Sequence, residues 1–278
     1  MDKLSIVIPS NNEVFLKRTI EDVLEKATGD IEVYPVLDGY DIPEEEIVKD
    51  KRVHYIHFKT NLGKRQGINA MVAITDAKYV MSLDAHCMMA KGFDTQLIKD
   101  HQSRWVQVPR RHRLDAENWC LQPQSDNRPP IDYEYVMYPP RFTPGKAFHG
   151  FKWDARTKER GHIKIDETLT MQASCWFMEK SWFKKMGFMD YKYQNWGQEA
   201  EEISFTTWTN GGKLVVNKNT WYAHLHKGKK YGRMYHLSRN MIRRSYAYSY
   251  ERWKDDPKFH KLINRFMPLP RWPKDWKL

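Results

Sequence analysis

Hydrophobic and polar positions change period several times in the first 90 residues. Leu4-Ser5-Ile6-Val7-Ile8-Pro9 reads as a short strand stopped by Pro9. Polar Ser10-Asn11-Asn12-Glu13 follows. Val14, Leu16, Ile20, Val23, Leu24 and Ala27 then recur at helical spacing, with Gly29 as the stop. Ile31 to Leu37 predicts a second strand ending at Asp38-Gly39, and Val53 to Phe58 a third. Between them, Ile42-Pro43-Glu44-Glu45-Glu46 predicts a solvated helix start, with acidic groups at the positive end of the helix dipole. Asn61-Leu62-Gly63-Lys64-Arg65-Gln66-Gly67 leads into a helix through Ala73, and Tyr79 to Leu83 is a fourth strand. The alternation β-α-β-α-β-α-β predicts an α/β protein with a parallel, doubly wound sheet.

The fourth strand runs into Asp84-Ala85-His86-Cys87. Residues i and i+2 of a strand point the same way, so Asp84 and His86 can offer an oxygen and an imidazole nitrogen to one ion. In an open α/β sheet, ligands bind at the carboxyl ends of the strands. Neither glycine loop is long enough for a P-loop, and no G-x-G-x-x-G appears. Further on come Phe148-His149-Gly150-Phe151-Lys152-Trp153 and the run Met171 to Met178. Trp196-Gly197-Gln198-Glu199 follows, with Glu199, Glu201 and Glu202 opening a helix that runs through Trp208. Tyr222-Ala223-His224-Leu225 ends the series, with His226 two residues beyond His224.

This order of motifs resembles the catalytic domain of the polypeptide N-acetylgalactosaminyltransferases and their family-2-like relatives, over roughly residues 4 to 231. The resemblance implies a GT-A fold: a mostly parallel doubly wound sheet with a nucleotide-sugar half, 1–86, and an acceptor half and flap, 87–231, followed by an extension, 232–278. It implies a glycosyltransferase with a UDP-sugar donor and retention of anomeric configuration. Asp84, His86 and His224 would hold a divalent ion, usually manganese in that family, with magnesium as the substitute and His226 as a rival ligand. A carboxylate with two imidazoles suits a borderline divalent metal that leaves positions open for phosphate oxygens. Asp38 matches the residue that meets the uracil edge. Pro9, Asn11, Gly63, Lys64 and Arg65 match the loops that line the uridine, and Lys227 and Tyr231 match a flap over the diphosphate. Trp196 and Glu199 match the W-G-x-E that positions donor sugar and acceptor hydroxyl. Ala200 stands where the family has Asn. Glu199 or Glu202 would serve as general base if the enzyme inverts instead.

Composition and charge then narrow the acceptor. The 278 residues carry 46 Lys+Arg and 35 Asp+Glu, a net charge of +11. Residues 221–278 hold 15 basic and four acidic groups, so the whole excess lies in the last fifth, interleaved with twelve aromatics. Arg239, Arg243, Arg244 and Arg252 fall on a helical pattern whose apolar side is Leu237, Met241 and Tyr248. A second basic cluster is Arg110-Arg111-His112-Arg113. Basic residues among aromatics are the footprint of nucleic-acid binding. With the resemblance, they point to sugar transfer onto hydroxymethylated bases of viral DNA. Protein or polysaccharide hydroxyls are the alternative acceptors, and an inactive nucleic-acid-binding module is the non-enzymatic alternative. Three Cys at unrelated spacings make neither a disulfide framework nor a zinc site, and are read as buried thiols in a reducing compartment. No apolar run approaches 18 residues and no signal peptide is present. The expectation is a cytoplasmic protein, bacterial or in a virus-infected host, without the membrane anchor or lectin domain of the animal relatives.

Overall fold

The computed structural model describes residues 2–124, 128–136, 148–194, 196–232 and 237–267. The first half contains β1 (Leu4–Ser10), α1 (Leu16–Lys26), β2 (Ile31–Asp38), β3 (Ile56–Phe58), α2 (Lys64–Ile74), β4 (Tyr79–Leu83), β5 (Cys87–Met89) and α3 (Phe93–Lys99). Next come β6 (Trp105–Asp115), β7 (Cys120–Leu121), β8 (Glu134–Val136), β9 (Gly150–Lys152), α4 (Asp154–Arg160), β10 (Ile165–Glu167), β11 (Cys175–Glu179) and α5 (Lys180–Lys185). The chain continues through α6 (Glu199–Thr209), β12 (Lys213–His224), α7 (Gly228–Tyr231), α8 (Arg239–Trp253) and α9 (Pro257–Phe266).

The main sheet runs β10-β12-β6-β11-β4-β1-β2-β3, with β5 paired to β12 and β7 to β6. β3, β2, β1 and β4 are parallel, and the apolar, two-sided burial of β1, β2 and β4 fits that arrangement. β6 and β12 are also parallel, and β11 is inserted antiparallel between β4 and β6. This is a large, mostly parallel α/β sheet extended by antiparallel strands.

The early elements differ from expectation at their edges. β1 passes through Pro9, because that residue gives up only one ladder donor, and ends at Ser10. The run at Glu44–Glu46 is a single 3-10 turn and not a helix, since its three acidic side chains offer no apolar face to bury. Val14 lies outside α1 and is exposed, and α1 ends at Lys26, three residues before Gly29. The Gly39 turn needs its glycine: φ is +80, and an added Cβ would sit 2.5 Å from the Asn61 nitrogen.

Two apolar clusters, with a third and smaller one at Met88, Leu114, Ala116, Ala223 and Leu225, form the core among the described residues. The larger packs β1, β2 and β4 against α1, α2, β11 and α5. The second gathers Tyr133, Phe148, Phe205, Trp253, Phe259, Leu262, Ile263 and Phe266, so α8 and α9 are seated on α6 and the β8–β9 hairpin. The buried face of α8 is Ser245, Tyr246, Ser249 and Trp253, not the Leu237, Met241 and Tyr248 side expected from sequence. The basic Pro-rich end beyond Met267 lies outside the described residues.

Candidate functional site

β4 stops at Leu83, so Asp84 and His86 sit in the turn between β4 and β5 and not on a strand. The backbone still brings them together. Asp84 N donates to Ser174 O, which continues the β4–β11 ladder, and β5 pairs antiparallel with the end of β12 in the register Cys87↔His224. That register carries His224 to the same corner. The two Nε2 atoms of His86 and His224 are 3.0 Å apart, and His224 Nε2 lies 3.5 Å from Asp84 Oδ2. Asp84, His86 and His224 form a group whose ligand atoms all lie within 4.8 Å of one another. Burial opposes the charge of Asp84, yet Lys64, His224 and His86 hold its carboxyl well below the usual carboxylate range. Burial lowers the His224 imidazole to about 3, which keeps a lone pair available at neutral pH. An anionic carboxylate and two converging imidazole nitrogens fit a divalent metal ion. His226 is exposed, off the strand and outside that group.

A cleft of about 550 Å³ opens over this corner. Of the expected donor loops, Pro9, Asn11, Asp38, Gly63 and Lys64 line it. Asn11 Nδ2 donates to Asp38 O, and the Asp38 carboxylate accepts from Leu62 N at 2.6 Å and Gly63 N at 2.8 Å. Asp38 thereby locks the two loops together. Burial raises its carboxyl and these two amides pull it back. Lys64 Nζ reaches Asp84 Oδ1 at 2.5 Å and Ala173 O at 2.6 Å. Trp196, Glu199, Lys227, Leu237 and Met241 also line the cleft.

Four expected residues are placed differently. Arg65 does not line the cleft: it is 1% exposed beneath it. Its Nε donates to Glu202 Oε2 at 2.9 Å, its Nη1 faces Glu199 Oε1 at 3.3 Å and its Nη2 donates to Gly197 O at 2.6 Å. Glu202 is likewise buried, accepting from Asp190 N as well, so it supports the loop and is removed from any substrate. Tyr231 packs edge-on against Phe15 and turns its hydroxyl toward Glu117. Arg252 lies among Asp190, Glu202 and Trp253, whereas Arg239, Arg243 and Arg244 are solvent-exposed. Cys87 and Cys175 are buried, but Cys120 is exposed.

One residue escaped the sequence reading. Glu13, in the first loop, is half-buried, lines the cleft, lies 3.1 Å from His86 Nδ1 through Oε2, and pairs with Lys227. A carboxylate on Nδ1 sets the tautomer that turns Nε2 toward an ion. The only local signal is its place after Ser10-Asn11-Asn12; the partners are 73 and 214 residues away.

A parallel nucleotide-half sheet, a D-x-H corner and a W-G-x-E wall facing it across one cleft define a GT-A glycosyltransferase. The chain belongs to glycosyl transferase family 2, whose family model matches residues 5–187. It is 25% identical over 250 residues to "Probable N-acetylgalactosaminyltransferase 7" of Caenorhabditis elegans, covering 81% of this chain and 39% of the relative. It is also 25% identical over 228 residues to human "Polypeptide N-acetylgalactosaminyltransferase 16", covering 76% and 38%. The chain therefore spans about two-fifths of these relatives' length. Among solved structures it resembles GalNAc-T7 with UDP, GalNAc and Mn2+, at TM-score 0.68 and 19% identity over 96% of this chain and 51% of that one. S. aureus TarS 1-349 aligns at TM-score 0.51 and 15% identity, over 80% and 60%. No helix among the described residues is long and apolar enough to cross a membrane.

Proposed function

We propose that this protein transfers a sugar from a UDP-sugar, with Mn2+ or Mg2+, to a hydroxyl on a polyanionic acceptor, and that hydroxymethylated bases of viral DNA are that acceptor. The observation that carries the donor half is the convergence of Asp84, His86 and His224 at the base of the cleft that Pro9, Asn11, Asp38, Gly63 and Lys64 line. Those three side chains would hold the ion, which supplies neutralisation of diphosphate charge. The solved relative named above holds UDP and Mn2+, which supports this choice of donor and metal. Lys64 and Lys227 bring cations to the cleft walls for the same diphosphate. In the transfer, the bond from the anomeric carbon to the phosphate oxygen breaks and the bond to the acceptor oxygen forms. With retention, the acceptor proton passes to the departing phosphate, so no protein base is needed. The placement of Glu199 and Glu202 against Arg65 supports that version, because a carboxylate committed to a guanidinium is a poor base.

The acceptor half rests on the α8 cations. Arg239, Arg243 and Arg244 face solvent on the helix that follows Leu237 and carries Met241 into the cleft rim. A reducing, cytoplasmic setting fits the three free thiols. Incubation with a panel of UDP-sugars and Mn2+, with and without hydroxymethylated DNA, tests the reading through UDP release. One UDP-sugar should be hydrolysed slowly alone and faster with that DNA. Release without any DNA dependence would move the acceptor to protein or polysaccharide hydroxyls, and no release with any donor would sink the enzyme.

A further inference from the structure

A second cavity of about 500 Å³ opens beside the cleft and shares Gln172, Ala173, Trp196 and Glu199 with it. Its other side is β6. Arg111 and Arg113 occupy alternate positions of that strand and so face the same way. In the parallel ladder with β12, Arg113 is registered with His224, and Arg111 with Tyr222. One cation of the second cavity is thus a strand's width from the D-x-H corner.

The charges around this cavity do not balance locally. Arg111 Nη2 donates to Glu134 Oε1 at 2.8 Å, and its Nη1 to Gln172, while its buried Nε has no partner. Glu134 is thereby committed. Glu199 is committed to Arg65. Glu201, packed with Glu134 against Gly150, is buried, and its carboxyl is pushed up to about 8, so it is neutral at pH 7. Lys152 pairs with Asp154 outside. Arg113 is left: its Nη1 donates to the Pro129 carbonyl at 3.1 Å, and among the described residues no carboxylate pairs with it. Burial, with Arg111 and Arg128 nearby, works against its charge. Asp154 is the one carboxylate that favours its charge, and it acts without an ion-pair contact; a half-buried guanidinium with no carboxylate in contact gains when an anion joins it.

We propose that this cavity is the acceptor subsite and takes an anionic group, phosphate ester or carboxylate, carried by the acceptor beside its reacting hydroxyl, with Arg113 as the anchor and Arg111 as a fixed support. The proposal rests on the glycosyltransferase reading and adds an inner anchor distinct from the α8 face.

The test compares three matched alcohols: glycerol, glycerol 3-phosphate and glycerate. Binding is measured by calorimetry with UDP and Mn2+ present, so that the donor cleft is filled, and UDP release is followed separately. Wild type should bind the anionic alcohols about 10-fold more tightly than glycerol, the worth of one charge-assisted hydrogen bond. Arg113→Gln should erase that ratio. Arg113→Lys should retain part of it, since it keeps the charge and loses the fork. A larger gain for glycerol 3-phosphate assigns a phosphate ester, and a larger gain for glycerate a carboxylate. Equal binding of all three by wild type, or a ratio that survives Arg113→Gln, overturns the proposal. Calorimetry reads the subsite without turnover, so failure of UDP release would count against the donor reading alone.

Discussion

Single side chains in this protein act through partners far away in sequence. Glu13 is the clearest case, because it touches both His86 and Lys227. Glu13→Gln should weaken Mn2+ binding by about 10- to 100-fold, the usual effect of losing a carboxylate behind a metal-bound His. Titration with Mn2+ followed by electron paramagnetic resonance checks this, with Asp84→Asn as the reference for losing a ligand outright. Arg65 is a matter of stability. Arg65→Met strands Glu199 and Glu202 in a buried place and should cost about 3–5 kcal/mol, read from the urea midpoint. Adding Glu199→Gln and Glu202→Gln to that variant should restore much of the loss. Glu201 gives a pH dependence. Its folded carboxyl, raised by burial and by Glu134 and Glu199, titrates at about 8, well above an ordinary Glu. The folded state then binds more protons than the unfolded state between the two values, so stability falls as pH rises from about 4.5 to about 8. Glu201→Gln should match wild type at pH 5 and exceed it at pH 9 in chemical denaturation.

At the scale of elements, α8 joins two tasks. Its inner face carries Ser245, Ser249 and Trp253 into the second core, and Ser245 Oγ donates to Gly197 O under the W-G-x-E loop. Its outer face presents Arg239, Arg243 and Arg244. Changing those three to Gln should flatten the salt dependence of duplex DNA binding by roughly 0.9 in log–log slope for each phosphate left unneutralised. Arg252→Gln should leave the slope alone and reduce stability instead, since Arg252 is spent on Asp190 and Glu202. The sequence groups Arg252 with the other three arginines of this helix, because periodicity cannot see which carboxylates lie across it. The strands of the first half were legible for the opposite reason. Their apolar runs are buried on both faces and need no distant information. The D-x-H corner was legible too, as a pair close in sequence, although the turn after β4 and not the strand provides its geometry. The roles of Glu13 and Arg65 were not legible, since each is defined by a partner more than 70 residues off.

At the scale of the molecule, the sheet order matters more than the chain order. β6 lies between β11 and β12, and β12 comes from Lys213–His224, after the segment that matches the family model has ended at 187. A piece cut at 187 would lose the strand that covers one side of β6, as well as both acidic partners of Arg65. An uncovered strand of eleven residues is a template for joining other chains edge to edge. Expressed alone, 1–187 should therefore collect in the pellet, while 1–267 should remain in the supernatant; sedimentation of the two lysates decides it. The portion that matches the family model thus ends before the strand that covers β6. Shuffling or grafting at that boundary would divide a single cooperative unit, and a workable exchange must carry the later strand along with it.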